Sequence, residues 1–216
     1  MDIPLVFQEI AVVIAVEKQD TKGLSHEFLV QCGVVDSSWQ LAAKPVVAEN
    51  ISLLRYSNNC AIACNNKQIQ LVQPFSGNPK EVFLPKMAIR YSEILNNLVY
   101  RAVGLNFKSF ADLKDIDQSS NDFILGFLHP QKINTRPQKA SFNLSYAFER
   151  NNINLSIMDA TNKENKDSKG VTFVGNCETR FNSLDQGNIT ERIRESLDLW
   201  ELDFAKYSTI VTDFLK

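Results

Sequence analysis

The first hydrophobic segment of the chain carries apolar side chains at both odd and even positions. Leu5–Val16 therefore predicts a β-strand with two apolar faces. One predicted face holds Val6, Ile10, Val12, Ile14 and Val16, and the other holds Leu5, Phe7, Ala11, Val13 and Ala15. This pattern is typical of a central strand covered on both sides, by its own chain or by a partner.

A short helix and a β-meander are predicted next. Ser25 can cap a short helix that stops at Gly33. Residues 51–56, 60–64 and 68–72 predict three strands, because pairs of asparagines, which favour tight hairpin turns, separate them. An apolar stripe at helical spacing, with Pro85 near the first turn, then predicts a helix: Leu84, Met87, Tyr91, Ile94 and Leu98.

The second half repeats this order with different details. A strand is predicted at residues 98–108, and a helical turn is predicted at residues 110–113. Residues 123–128 could form a strand or a buried turn. Residues 141–149 and 153–158 predict a hairpin, and residues 171–175 a last strand.

The chain ends in a predicted amphipathic helix from about residue 188 to residue 214. Its apolar stripe steps by three or four residues throughout: Ile189, Ile193, Leu197, Trp200, Phe204, Tyr207, Val211 and Phe214. The segment from Asn188 to Glu191 has the form of a capping box. Leu202 points away from the stripe, which makes it either a lone exposed apolar residue or a contact to a second subunit or partner.

These elements predict an α+β fold over residues 1–216 as a single domain. Its mainly antiparallel sheet would be built from two β-meander and helix halves, residues 1–97 and 98–216, with the helices on one face. The repeated order and the similar starts of the two leading strands, at Leu5 and Leu98, raise the possibility of an ancient duplication.

Composition excludes several classes of protein. The chain is 44% hydrophobic and 22% charged, which is ordinary for a globular protein. Its net charge of −2 lacks the basic footprint of a nucleic-acid binder. The longest apolar run, residues 10–16, is too short to cross a membrane and lacks the basic leader of a signal peptide. We therefore expect a cytoplasmic protein that binds neither nucleic acid nor a membrane.

Candidate chemistry is sparse. The chain has no phosphate-binding loop, dinucleotide fingerprint, nucleophile elbow or zinc-protease motif, so no cofactor, metal or catalytic residue is predicted. Cys60 and Cys64 would lie roughly 13 Å apart on a strand, too far for a disulfide or one zinc ion. Cys177 would need a neighbouring base to act as a nucleophile, and the sequence does not place one.

The sequence leaves two candidate sites. An apolar cleft between the sheet and the last helix could be lined by four aromatic residues: Trp39, Tyr91, Trp200 and Tyr207. A loop with His129, Lys132, Arg136 and Lys139 could hold an anionic group or an acidic partner.

One stretch, residues 24–110, resembles a known group of proteins. The segments that carry the resemblance are Glu27-Phe-Leu29, Gly33-Val-Val35, Trp39-Gln-Leu-Ala42 with Pro45, Tyr91, and the segment from Tyr100 to Phe107. They are similar to a sporadically distributed family of uncharacterised cyanobacterial and other bacterial proteins. The resemblance implies a bacterial cytoplasmic origin and brings no activity with it.

The sequence leaves two functional hypotheses. The first is a non-enzymatic protein-binding or assembly module, either a homo-oligomer such as a dimer or an adaptor for another protein. The alternative is a small-molecule binder or enzyme that uses the apolar cleft.

Overall fold

The computed structural model describes residues 3–21, 23–116, 119–127, 137–161, 169–182 and 184–216. The strands are β1 (Leu5–Val16), β2 (Val46–Ala48), β3 (Ile51–Arg55), β4 (Ala61–Asn65), β5 (Gln68–Pro74), β6 (Tyr100–Asp112), β7 (Ser141–Ala147), β8 (Asn152–Thr161) and β9 (Lys169–Arg180). The helices are α1 (His26–Gln31), α2 (Leu84–Ile94), α3 (Ser120–Gly126), α4 (Ile189–Asp198) and α5 (Trp200–Phe214).

One antiparallel sheet contains all nine strands, in the order β2-β3-β4-β5-β1-β6-β9-β8-β7. The α+β class and the antiparallel sheet predicted from the sequence are therefore confirmed. β1 and β6 lie at the centre and pair over nearly their whole length, from Leu5 opposite Ala111 to Val16 opposite Tyr100. Apolar residues on both faces of β1 are consistent with this central place.

A β-bulge changes the predicted faces of β1. Phe7 lies opposite Ser109 whereas Glu9 lies opposite Lys108, so one extra residue, Gln8, is inserted between them. Phe7 consequently faces the core with Ile10, and Val6 faces outward with 54% of its surface exposed. The sequence-based prediction, which placed Val6 on the face of Ile10 and Phe7 on the other face, is wrong for both residues. Strict alternation of faces does not continue through a bulge.

The first meander and its helices follow the sequence pattern closely. The Ser25 hydroxyl accepts a hydrogen bond from the Phe28 amide at 3.1 Å. Gly33, just after α1, has a φ of +67°, so the helix does not continue past it. Both features match the predicted cap and stop of α1. The three predicted strands are β3, β4 and β5, while the short edge strand β2 was not predicted.

Two predictions for the second half are wrong. Residues 110–113 were predicted as a helical turn, but β6 continues to Asp112 because β9 pairs with it along this stretch, as in Phe110 opposite Thr172. Residues 123–128 were predicted as a strand or buried turn, but most of them belong to α3, which Ser119 caps by accepting a hydrogen bond from the Asp122 amide. Short apolar runs do not distinguish helix from strand.

The predicted continuous last helix is not confirmed, because two helices, α4 and α5, meet at Leu199. Leu199 has φ −97° and ψ 15°, outside regular helical geometry. Asn188 makes no side-chain capping bond, so the predicted capping box is also not confirmed. The apolar stripe faces the core on both helices, with Ile193, Leu197 and Tyr207 fully buried.

The helices of the described residues pack on one face of the sheet and form the core with it. Phe204 of α5 lies 4.8 Å from Phe75 and 5.0 Å from Phe7, measured between ring centroids. An Arg194–Glu93 ion pair of 2.5 Å links α4 to α2. The opposite surface of the sheet, which we call the open face, carries none of the described helices.

Candidate functional site: the open face of the sheet

The open face is formed by every second residue of each strand. One row of side chains crosses it from Leu53 through Ala63, Gln70 and Val13 to Gly104, as the strand registers require. The residues between them point to the helices and the core. Because the open face has no helix over it among the described residues, its side chains are the ones available to a partner.

Between β2 and β1 the open face is mainly apolar. The apolar side chains are Val46, Ala48, Ile51, Leu53, Ala61, Ala63, Val72, Ala11, Val13 and Ala15. These strands carry two charged side chains on this face: Arg55, at the end of β3, and Glu9, within β1 beside the last residue of β5. An antiparallel sheet with one face in water normally alternates apolar and polar residues. A contiguous apolar outer surface is typical of binding sites.

The other part of the open face, from β6 to β7, is polar and uncharged in its middle. A row of amide and hydroxyl side chains runs from Asn106 to Asn176, Asn154 and Ser145. The Asn176 amide donates to the Asn106 carbonyl oxygen at 2.7 Å. Amides both donate and accept hydrogen bonds, so this row can pair with polar groups of a partner without burying a charge.

A groove of about 450 Å³ lies where the two parts meet. The small side chain of Ala11 forms part of the groove wall, and Gln70 and Asn106 lie on either side of Ala11. Glu9 and Lys108, which face each other across β1 and β6, lie at its charged end. The groove can therefore accept an apolar side chain whose neighbour carries a charge or an amide.

The four aromatic residues predicted to line a cleft contact different sets of residues in the structure. Trp39 packs edge-on against Tyr56 and Phe83, with ring centroids 4.9 and 5.3 Å away. Trp200 is buried beside Phe75. The two tryptophans therefore pack against different aromatic residues.

Tyr207 is part of the same packed interface. Its hydroxyl lies 2.7 Å from the Ser109 hydroxyl and donates to the Phe173 carbonyl oxygen at 3.0 Å. Burial raises the pKa of Tyr207 well above its usual range. Tyr207 thus fixes α5 to the sheet as a neutral, hydrogen-bonded core residue.

Tyr91 borders a separate cavity of about 320 Å³, lined by Gln19, Leu24, Phe28, Leu95 and Leu98 among others. The Tyr91 hydroxyl donates to Gln19 Oε1 at 3.0 Å, and Gln19 Nε2 donates to the Asn65 carbonyl oxygen at 2.8 Å. Both side chains are already partnered, and the remaining walls are mostly apolar. A small apolar molecule is the kind of ligand that this cavity suits.

Three residues of the predicted basic loop, His129, Lys132 and Arg136, lie outside the described residues. The fourth, Lys139, is exposed two residues before β7. Leu202 lies on the outer surface of α5 and is 57% exposed, and Leu199 at the helix junction is 40% exposed. Leu202 follows Leu199 by three residues, just after the junction of α4 and α5.

The thiols are suited to a packing role. Burial raises the pKa of the Cys60 and Cys64 thiols to about 11 and that of Cys177 to about 12. These groups are protonated at neutral pH and therefore poor nucleophiles. Within the described part of the chain, no three His, Cys, Asp or Glu side chains are grouped so as to hold a metal ion.

Sequence reasoning missed most residues of the open face. The signal was present in β4, where Ala61, Ala63 and the buried Ile62 and Cys64 form an unbroken apolar run. Such a run has apolar side chains on both faces, as in β1. Taken together, the two strands could have predicted an apolar patch, but only the pairing through β5 places them side by side.

Comparison with known proteins adds no identification: no family model matches the chain, and no curated protein matches it. Across the described segments, each helix is too short or too polar to cross a membrane.

Proposed function

We propose that the protein is a non-enzymatic binding and assembly module that holds another polypeptide on its open face and also self-associates. The observation that carries the proposal is the apolar, nearly uncharged outer surface of five adjacent strands, β2 to β1 in sheet order. Leaving this surface in water is unfavourable by about 25 cal/mol for each Å² of apolar area. A partner that covers it removes this unfavourable exposure.

The test is a charge placed in the middle of the apolar part. Ala63 lies there, half-buried between Leu53 and Gln70, whereas Ala205 is exposed on the helix side of the molecule. Ala63→Arg and Ala205→Arg introduce the same side chain on opposite surfaces. We expect proteins that co-purify from the native host to be lost with Ala63→Arg and retained with Ala205→Arg. Equal retention by both variants would contradict the proposal.

We infer that Leu202 and Leu199 form a second contact surface. This inference is supported by the exposure of both leucines at the helix junction. A polar residue at either position would be equally compatible with folding. Leu202→Glu should leave the midpoint of urea unfolding unchanged and weaken assembly with a partner protein. Unchanged assembly with the partner would remove Leu202 from the interface.

The order of strands supports the proposed duplication of residues 1–97 and 98–216. In the first half, β3, β4 and β5 form a meander that returns beside β1. In the second half, β7, β8 and β9 form a meander that returns beside β6. Each meander is followed by a helix, and these helices, α2 and α4, contact each other through Glu93 and Arg194. A duplicated unit would account for the same order of a strand, a meander and a helix in both halves.

A second candidate function is binding of a small apolar molecule in the cavity beside Tyr91. Its volume of about 320 Å³ is at the small end of ligand pockets. Native mass spectrometry of freshly purified protein tests this function. A retained small molecule that is lost in Leu98→Trp, which would fill the cavity, would favour it over the assembly module.

A further inference from the structure

The outer edge of β7 differs from the other edge of the sheet. β2 has three residues and follows Lys44 and Pro45, a length and composition that discourage further strand pairing. β7 has seven residues, Ser141-Phe-Asn-Leu-Ser-Tyr-Ala147, without a charge or a proline. It is the last strand in the order of the sheet. An edge strand of this kind is a template for an additional strand.

The hairpin geometry identifies which backbone groups are available. The Phe148 amide donates to the Asn151 carbonyl oxygen at 3.1 Å, so Phe148 points its backbone groups toward the paired strand. By alternation, Phe142, Leu144 and Tyr146 also point theirs toward β8. The backbone N–H and C=O groups of Ser141, Asn143, Ser145 and Ala147 therefore point away from β8, toward the edge.

The side chains of this segment are self-complementary about Leu144. In an antiparallel pair of two identical strands centred there, Phe142 of one copy faces Tyr146 of the other, and Asn143 faces Ser145. Leu144 faces its own equivalent. Just beyond the strand, the exposed Lys139 of each copy lies at the end of the pair that carries the β7–β8 turn of the other copy, with its exposed Glu149. A two-fold interface requires this kind of self-complementarity, in charge as well as in shape.

We propose that two copies of the protein associate through antiparallel β7–β7 pairing centred on Leu144, which forms one continuous sheet across the dimer. This inference specifies the surface for the self-association proposed above and rests on it. The four outward-pointing residues of each copy form about eight inter-strand hydrogen bonds, two in each bonded pair. The aromatic and leucine pairs fall at the non-hydrogen-bonded positions, where opposite side chains lie closest.

The helix layer next to β7 supplies apolar area that the strand alone lacks. Tyr146, Ile210 and Phe214, together with the carboxylate of Asp213, line a groove of about 210 Å³ between β7 and α5. Phe127, 38% exposed, packs edge-on against Phe214 at 5.0 Å between ring centroids. A stable dimer buries roughly 800 Å² on each partner. Continuous pairing brings the two helix layers together, so these half-exposed rings contribute to that area.

Charge exchange tests both the surface and its register. Lys139→Glu places like charges at both ends of the paired strands, and Glu149→Lys does the same with opposite sign. We expect each single variant to raise the dimer dissociation constant about tenfold in low salt, measured by sedimentation velocity. The double variant Lys139→Glu/Glu149→Lys re-forms opposite pairs and should return the constant to within about twofold of the wild type.

A proline tests the backbone pairing. Ser145→Pro removes an outward N–H and leaves the β8-facing bonds in place, whereas the control Ser145→Thr keeps the N–H. We expect a folded monomer with Ser145→Pro and a dimer with Ser145→Thr. If Ser145→Pro remains a dimer and the charge exchanges leave the dimer dissociation constant unchanged, β7 pairing is overturned but self-association is not. A wild-type protein that stays monomeric throughout the micromolar range overturns both, while the open-face variants still test partner binding separately.

Discussion

Asp203→Ala removes the buried charge that anchors the β7–β8 turn to the helices. Asp203 is 1% exposed, and Arg150 Nη2 lies 2.5 Å from its Oδ1. Asn151 Nδ2 donates to the same oxygen at 3.1 Å, and Arg150 also donates to the Ser196 carbonyl oxygen at 3.4 Å. One carboxylate thus holds two consecutive residues of the turn that leads out of β7.

The expected loss follows from what remains after the carboxylate is removed. Breaking a buried ion pair by deleting one partner destabilises a protein by about 3–5 kcal/mol, because the other charge stays buried. The Arg150 side chain is 29% exposed and can turn partly to water, so we expect about 3 kcal/mol, the lower end of that range. For a chain of this length, that corresponds to a decrease in Tm of about 6–12 °C.

Urea unfolding followed by circular dichroism measures this loss. Glu201→Ala is the matched control, because Glu201 lies on the same helix turn but is exposed. The control should change the unfolding free energy by less than about 0.5 kcal/mol. If Asp203→Ala is no more destabilising than Glu201→Ala, the turn does not depend on this buried pair and the reasoning is refuted.

The remaining predictions concern the core. Gly175→Ala should lower the free energy of unfolding in urea by about 1–3 kcal/mol, because its new Cβ would come closer than 3.0 Å to two ring carbons of Tyr207. The control Gly23→Ala places its Cβ in open space and should leave the free energy of unfolding unchanged. A thiol reagent at neutral pH should label Cys32, which is partly exposed, much faster than the three buried cysteines, and equal rates would contradict the packing described for them. Since burial raises the pKa of the Cys177 thiol from 9.0 to about 12, the unfolded chain releases this proton at a lower pH than the folded protein. Its contribution to stability is therefore complete below about pH 9 and is lost as pH rises from there toward 12, so the alkaline decline in urea midpoint should be shallower in Cys177→Ser.

The parts of the fold predictable from the sequence are those set by local patterns. The Ser25 cap, the Gly33 stop and the asparagine pairs around β4 act within a few residues, so their predictions are confirmed. The break at Leu199 could not be predicted in this way. The apolar stripe continues through it with unchanged spacing, and neither glycine nor proline marks the interruption.

Features that depend on pairing between distant strands could not be predicted from local sequence patterns. The bulge at Gln8 arises from the register of β1 against β6, about a hundred residues later in the chain. The same holds for the open face, where the hydrogen-bonded Asn106 and Asn176 are 70 residues apart. Apolar residues on both faces of β1 indicated an outer surface, but its extent required the whole sheet.

The most direct test of the proposed function is site-specific photo-crosslinking in the native host. A photoreactive residue at position 63, in place of Ala63, would lie in the apolar part of the open face, and the same residue in place of Ala205 would lie on the helix side. The proposed function predicts a covalent adduct with a polypeptide from position 63 and none from position 205. Adducts from position 205 alone, or from neither position, would contradict a polypeptide-binding open face.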